Sequence, residues 1–514
     1  MRLLPALVPG GLPEPDDDAA VVLARAAAGE DLVVLGAPGT GKSTTALHLL
    51  TRAVQGGRDA LLLTPTRARA DLLRARAAHE LAGHGGGLVR VRTPAGYAYT
   101  VLSTSLTARP DPLPAPVLLA GAEEDAALAS LLRPEQWPGL PAEAVSSRAF
   151  RSELRNLLAR AGELGVGAED LAEWGRRLDV PLWASAAALL RTWDAQGRAS
   201  AERRSQTRRM DSARIQDRAI EALATWEADA VTEPRPVPEL VVVDDYQDCT
   251  AATARLLAAL ARPDAAGHRA QVVVLGDPDV AVETFRGGTP SLLVEAQDRS
   301  GLGASRLQLG TRHRGTPALA RVWQEQASRL PVTGTASHRA PRTALARERA
   351  DSGSAGPDGP ADREAGAVSA PSGVQVLVTA SEAQETAHVA RLLRAEHVHH
   401  GTGWGQMAVI LRSAGQARAV ARDLRRRGVP LASTTPAVLL RAEPAAAALL
   451  AVARAALEGR LGDTTTLPER AGALDLLASP LIGLSVLDLR RLRRRLRAEP
   501  CAERTAERTA ARNT

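Results

Sequence analysis

Residues 31–54 constrain the fold of this chain more than any other stretch, because three local signals follow one another without a gap. Asp31-Leu32-Val33-Val34-Leu35 is an apolar run suited to a buried parallel strand. Gly36-Ala37-Pro38-Gly39-Thr40-Gly41-Lys42-Ser43 then fits the phosphate-binding pattern G-x-x-x-x-G-K-[ST] at every fixed position. A helix is expected from Lys42 through about Val54. Strand, glycine-rich turn and helix in this order aim successive backbone N–H groups and the positive end of a helix at one anion. Gly36 through Ser43, with Thr44, are therefore the candidate nucleotide-binding residues.

Composition sharpens the reading at one position. Of the 64 lysine and arginine residues, Lys42 is the only lysine. Random placement would put it in this slot roughly once in five hundred sequences. A compact ammonium on a flexible stem reaches between β- and γ-phosphates, where a planar guanidinium is too bulky. Ser43 is placed to set its hydroxyl on Mg²⁺, completing a nucleoside triphosphate site.

Three further apolar runs extend the pattern. Ala60-Leu61-Leu62-Leu63-Thr64-Pro65-Thr66-Arg67 reads as a strand ending in a polar turn, with a basic helix beginning near Ala68. Glu239-Leu240-Val241-Val242-Val243-Asp244-Asp245 and Gln271-Val272-Val273-Val274-Leu275-Gly276-Asp277 read as strands ending in acids. Four such strands separated by helical stretches predict an α/β fold with a parallel sheet, whose ligands bind at the carboxyl ends of the strands. Asp244 is then the candidate Mg²⁺ carboxylate, and Asp245 stands where a base would orient the attacking water.

The chain has 514 residues, 45% of them hydrophobic, which suits two to four globular domains. The start Met1-Arg2-Leu3-Leu4-Pro5 is too short an apolar run for a secretory signal and no stretch reads as membrane-spanning, so the cytoplasm is the expected location. Cys249 and Cys501 cannot build a disulfide framework or a cysteine-based zinc site. A net charge of +6 and a pI near 10.1 suit nucleic-acid binding, and suit equally the arginine-rich, lysine-poor usage of a GC-rich genome.

The order of the motifs resembles the UvrD/Rep-like branch of superfamily one DNA helicases. Leu63 to Ala68 is similar to motif Ia of that family, and Thr93-Pro94-Ala95-Gly96-Tyr97-Ala98 to its T-x-x-x-F-A element. Asp244-Asp245-Tyr246-Gln247-Asp248 resembles motif II, Gly276 to Gly288 motif III, and Leu309 to Pro317 motif IV. Within the branch the style is most like the AdnA subunits of actinobacterial helicase-nucleases. The resemblance implies a RecA-like, P-loop ATP-binding domain using ATP and Mg²⁺. It also implies 3′-to-5′ movement on single-stranded or duplex DNA in repair and recombination, and a partner helicase-nuclease subunit. It further implies catalytic roles for Lys42, Asp244, Asp245, Gln247 and Arg314, with Arg314 reaching the γ-phosphate and Gln247 coupling hydrolysis to movement. Thr64, Thr66, Arg67 and Thr93 would contact DNA, although Thr64 also serves to end its strand. Phe285 would stack on a base, with core packing as its alternative.

Departures from the family pattern point to slow turnover. Acids at Pro15-Asp16-Asp17-Asp18 stand where an adenine-reading glutamine is expected. Asp245 is one methylene shorter than the usual glutamate, and Val280, Glu283 and His313 replace a glutamine and two tyrosines.

The family layout divides the chain into an ATP-binding domain 1A (1–100 with 236–332), a helical insertion 1B (101–235), a disordered linker (333–372), the start of a RecA-like domain 2A (373–435), a partial helical 2B insertion (436–500) and a low-complexity tail (501–514). Five of seven tryptophans lie in the 1B stretch, more often a core signal than a DNA-stacking one. The cluster Arg203, Arg204, Arg208 and Arg209 reads as a solvated face or a DNA contact. Motifs V and VI find no counterpart, so the chain reads as truncated before them. A non-catalytic nucleotide- and DNA-binding scaffold is the alternative.

Overall fold

The computed structural model describes residues 11–82, 89–119, 122–202, 209–211, 214–264, 266–298, 301–343, 374–431, 444–457 and parts of 476–495. Within this span the chain separates into two compact units, residues 1–375 and 376–514.

The first unit carries strands β1 (Leu32–Gly36), β2 (Ala60–Leu63), β3 (Arg90–Arg92), β4 (Val117–Leu119), β5 (Arg209–Asp211), β6 (Leu240–Val243), β7 (Gln271–Gly276), β8 (Ser305–Leu309), β9 (Thr311–Arg312) and β10 (Arg342–Thr343). Six of them form one parallel sheet in the order β3-β2-β6-β7-β1-β8. The four central strands are the four apolar runs. Each is buried along its whole length, as parallel strands covered on both faces must be. The two edges, β3 and β8, are half-exposed and mix arginine, serine and glutamine with apolar residues, so no apolar run marks them.

Side-chain alternation sorts the strands into two cores. Val33, Leu35, Leu61, Leu63, Val241, Val243, Val272 and Val274 face one side. There they meet helix Ile215–Ala224, helix Ala251–Ala261 and the buried Tyr97 and Trp226. Leu32, Val34, Leu62, Val242, Val273 and Leu275 face the other, against helices α1 (Asp17–Ala27), α2 (Lys42–Gln55) and α3 (Arg67–Leu81). Both faces are sealed, so polar residues reach a ligand only where the strands end.

Helix α4 (Pro94–Thr107) runs through the boundary expected at residue 100 and packs with Ile215–Ala224 on the sheet. The insertion with its own core is consequently shorter than 101–235. Helices Arg148–Leu164, Ala168–Arg177 and Pro181–Glu202 enclose Leu154, Leu158, Leu171, Leu189 and Leu190. Trp137 meets Phe150 edge to face with ring centroids 4.8 Å apart, and Trp183 and Trp193 pack on the same cluster, so three of the tryptophans are core residues there. Arg203, Arg204 and Arg208 lie outside the described residues.

The expected linker also begins later than residue 333. Residues Ser337–Arg339 form a 3-10 turn, and β10 pairs with β9, which ties 337–343 to the first unit. The remainder of that tract and the 501–514 tail lie outside the described residues.

The second unit holds helices Glu382–His400, Ala414–Arg426 and Pro444–Leu457, with a small core of Ala390, Leu424 and Val429. The strands expected at 373–378 and 407–411 are not formed among the described residues, although the helix between them is. Among the described residues neither run has a hydrogen-bonded neighbouring strand, and an extended segment gains no ladder without one. Their apolar side chains stand open, Ile410 at 93% and Val378 at 91%. Most of 436–500 lies outside the described residues.

Candidate functional site

The glycine-rich turn leaves the carboxyl end of β1 and enters α2 at Lys42. Gly41 has φ +89° and Gly39 φ +85°, backbone that favours glycine. A Cβ on Gly36 would lie 2.4 Å from Thr40 Oγ1, so the loop closes only around a residue without a side chain. Ala37 and Thr40 are buried, while residues Pro38 to Thr44 line a cavity of about 560 Å³. Lys42 Nζ donates to the carbonyls of Gly36 (2.6 Å) and Ala37 (3.0 Å), so the loop's own oxygens hold the ammonium at the cavity floor. Burial pushes the Lys42 ammonium below the ordinary lysine range, and Asp277, Asp244 and Asp245 work against that while Arg314 adds to it. Residues from β1, β6, β7 and the turn after β9 thus act on one group.

Asp244 follows β6 and is completely buried. Burial and the neighbouring Asp245 carboxylate push its pKa up to about 6, against the pull of Ser43, Arg69 and Lys42. Asp245 has φ +56°, in the left-handed region. Aspartate tolerates that region better than glutamate because its short carboxylate can bond to nearby backbone, which gives a local reason for the shorter acid here.

The fit of Mg²⁺ to this corner follows from the groups present. Asp244 Oδ1 is buried without a hydrogen-bond partner among the described residues. On the other side of the carboxylate, one guanidinium nitrogen of Arg69 contacts both the Ser43 hydroxyl and Asp244 Oδ2, the latter at 3.3 Å, and Arg69 Nε lies 3.5 Å from Asp245. Arg69 therefore stands in for a cation between a hydroxyl and two carboxylates, the donor set that suits a hard divalent ion. Replacing Arg69 by alanine is expected to tighten Mg-nucleotide binding about fivefold, roughly 1 kcal/mol for a contact this close to solvent. Titration with a fluorescent nucleotide measures it. Mg²⁺ binding is also expected to weaken as pH falls through 6, because protons then compete for Asp244; Mn²⁺ titrations at pH 5 and 7 measure the loss.

Gln247 is buried at the back of the site. Its Oε1 accepts from the Asp277 N–H (3.0 Å), and its Nε2 lies 3.5 Å from Asp245 Oδ1 and 3.4 Å from Asp248 Oδ2. Gly276 makes room for it, since a Cβ there would meet Gln247 Oε1 at 2.7 Å. Asp248 holds the following loop by accepting from the N–H groups of Val282 (2.7 Å) and Glu283 (2.8 Å).

The opposite wall comes from the turn after β9. His313 N–H donates to the Gly39 carbonyl (2.9 Å), and Arg314 lines the cavity. The acids before α1 serve this wall: Asp16 accepts from Ala19 N–H and contacts His313 Nε2 at 3.0 Å, while Asp18 accepts from Gly310 N–H. Arg312, at the end of β9, is buried with its guanidinium 5.0 Å from the Trp323 ring centre.

The model of the UvrD/REP helicase N-terminal domain family matches residues 18–300, more than half of the chain. The chain belongs to the UvrD/REP helicase family. No curated protein matches it.

On the side of the helicase domain expected to meet DNA, the predicted residues divide. Phe285 is 70% exposed, which removes the core-packing alternative. Arg67 is exposed at the start of α3. Thr66 and Thr93 cap α3 and α4, accepting from the N–H groups of Arg69 (3.3 Å) and Gly96 (3.1 Å). Thr64 is fully buried just past β2, the place of a strand end. Sequence reasoning missed Arg69, Asp248 and Asp18. Arg69 lies just past the Leu63 to Ala68 motif, and Asp248 ends the motif II segment, where it received no role. No helix among the described residues is long and apolar enough to cross a membrane.

Proposed function

We propose that the chain is an ATP-dependent DNA translocase or helicase that moves 3′ to 5′ in the cytoplasm, in DNA repair and recombination, as an AdnA-like auxiliary subunit of a helicase-nuclease. The observation that carries this reading is the convergence of Lys42, Ser43, Asp244, Asp245 and Gln247 at the carboxyl ends of β1 and β6, the strands on either side of β7, with Arg314 in the wall of the same cavity. Lys42 binds the phosphates, Ser43 and Asp244 hold Mg²⁺, Asp245 orients the attacking water, and Arg314 stabilises the charge that develops on the γ-phosphate. Mg²⁺, when bound, neutralises phosphate charge. Gln247, fixed between Asp245 and the end of β7, carries the state of the nucleotide toward the 282–288 loop that bears Phe285. Single-stranded DNA stacks on Phe285 and is held beside Arg67.

Turnover is slow in this account, because Asp245 is short and Val280, Glu283 and His313 replace the family's usual side chains. The contact of Arg69 with Ser43 and Asp244 favours a second reading, a scaffold that binds nucleotide and DNA without hydrolysis. Displacement of a labelled strand from duplexes with a 3′ or a 5′ single-stranded tail tests both. The proposal predicts Mg-ATP-dependent displacement from the 3′-tailed duplex alone. Salt-sensitive DNA binding with no displacement from either duplex would favour the scaffold.

A further inference from the structure

We propose that His338 is a positioning residue for hydrolysis, holding the carboxyl end of β7 so that Gln247 stays aligned with Asp245. This rests on the nucleotide-hydrolysing reading of the site. His338 lies about sixty residues beyond β7 in the chain, in the 3-10 turn before β10, and is only 1% exposed. Its Nε2 is 2.9 Å from Asp279 Oδ2 and 3.4 Å from Asp277 Oδ1. Asp277 and Asp279 are themselves buried, and Asp277 Oδ1 also accepts from the Asp279 N–H at 3.0 Å.

The chain of contacts from His338 to the hydrolytic acid is continuous. The imidazole fixes the Asp277 side chain, the Asp277 N–H donates to Gln247, and the Gln247 amide lies against Asp245. The turn that carries His338 is itself anchored. Ser337 exchanges hydrogen bonds with Gln308 of β8, and Arg342 N–H donates to the Gly310 carbonyl at 2.7 Å. Arg339 grips Asp279 with two nitrogens, at 2.8 and 2.7 Å, and also donates to the carbonyls of Leu330 and Pro331.

Two carboxylates and a histidine so close together have the spacing of a metal site. The Arg339 pair decides against that use: both oxygens of Asp279 are already taken by a cation. With His338 protonated, two acids face two bases and the buried charges balance without a metal ion, while Asp277 Oδ2 and His338 Nδ1 have no hydrogen-bond partner among the described residues. The group is a clamp that fastens the 337–343 segment to the back of the nucleotide site.

The test compares the full chain with its His338→Ala, His338→Gln and Lys42→Ala variants in single-turnover Mg-ATP hydrolysis with single-stranded DNA, alongside nucleotide affinity and thermal melting. His338→Ala is expected to slow hydrolysis about 10- to 100-fold, the cost of a displaced catalytic group, with affinity changed less than about twofold. His338→Gln keeps an N–H for the carboxylates and is expected to recover hydrolysis to within about threefold of the unsubstituted chain. An unchanged rate in a folded His338→Ala variant would overturn the role, as would a rate and an affinity that fall together. If His338→Ala does not fold, His338→Gln against His338→Met compares similar bulk with and without a donor, and equal rates would overturn it. Lack of Lys42-dependent turnover in the unsubstituted chain overturns the hydrolytic reading itself, and the role with it. Normal turnover there, with no effect at His338, overturns the role alone.

Discussion

Replacing Arg314 by alanine is expected to slow Mg-ATP hydrolysis by about 10³- to 10⁵-fold while leaving nucleotide bound, the effect of losing an arginine that neutralises transition-state charge. The geometry gives the reason. The backbone of residues 312–314 packs on the phosphate-binding turn so tightly that a Cβ on Gly39 would lie 3.3 Å from the Arg314 carbonyl and 3.6 Å from the Arg314 Cβ. Its side chain therefore starts beside the phosphate-binding turn rather than swinging in from a distance, and its charge is already felt by Lys42. Arg314→Lys is expected to restore little, because an ammonium cannot reproduce a planar fork over several phosphate oxygens. Single-turnover hydrolysis read beside fluorescent-nucleotide affinity separates the two effects. A parallel fall in affinity would place Arg314 in binding instead.

Lys42→Ala is expected to lower both quantities: hydrolysis by about 10²- to 10³-fold and nucleotide affinity by at least about tenfold. The ammonium rests on the Gly36 and Ala37 carbonyls, in a loop whose other side chains are small and uncharged. Without it the cavity keeps its shape and loses the ammonium placed to bridge the β- and γ-phosphates. Lys42→Arg is expected to behave like alanine in hydrolysis, because the loop closes too tightly for a guanidinium. The absence of lysine elsewhere in the chain gives the experiment a further handle: any lysine-directed label that nucleotide protects reports on this side chain or on the N-terminal amine, and Lys42→Ala distinguishes them.

The centre of the sheet was legible because β1, β2, β6 and β7 are covered on both faces and must be apolar throughout. Edge strands escape such reading. Arg90–Arg92 and Ser305–Leu309 are only half-buried along most of their length, and their pairing is set by neighbours distant in the chain. The reverse occurred at 373–378 and 407–411, where strand-like composition meets no partner strand among the described residues. Local motifs fared best in the site: the loop from Gly36 to Thr44 is contiguous, and its chemistry follows from its order. Contacts that depend on how elements are brought together were invisible, as with His338 against Asp277 and Asp279. Direction within a helix mattered too. Arg67 lies on the exposed side of α3, and Arg69, two residues on, turns inward to Ser43 and Asp244. Thr66 and Thr93 carried a second meaning that the motif comparison hid, since a threonine just before a helix is a cap before it is anything else.

The most direct measurement is steady-state Mg-ATP hydrolysis by the purified chain with and without single-stranded DNA, with Lys42→Ala as the blank. The account predicts slow hydrolysis that DNA accelerates and that Lys42→Ala removes. Nucleotide that binds tightly yet is not hydrolysed, with or without DNA, would contradict a motor and leave the scaffold.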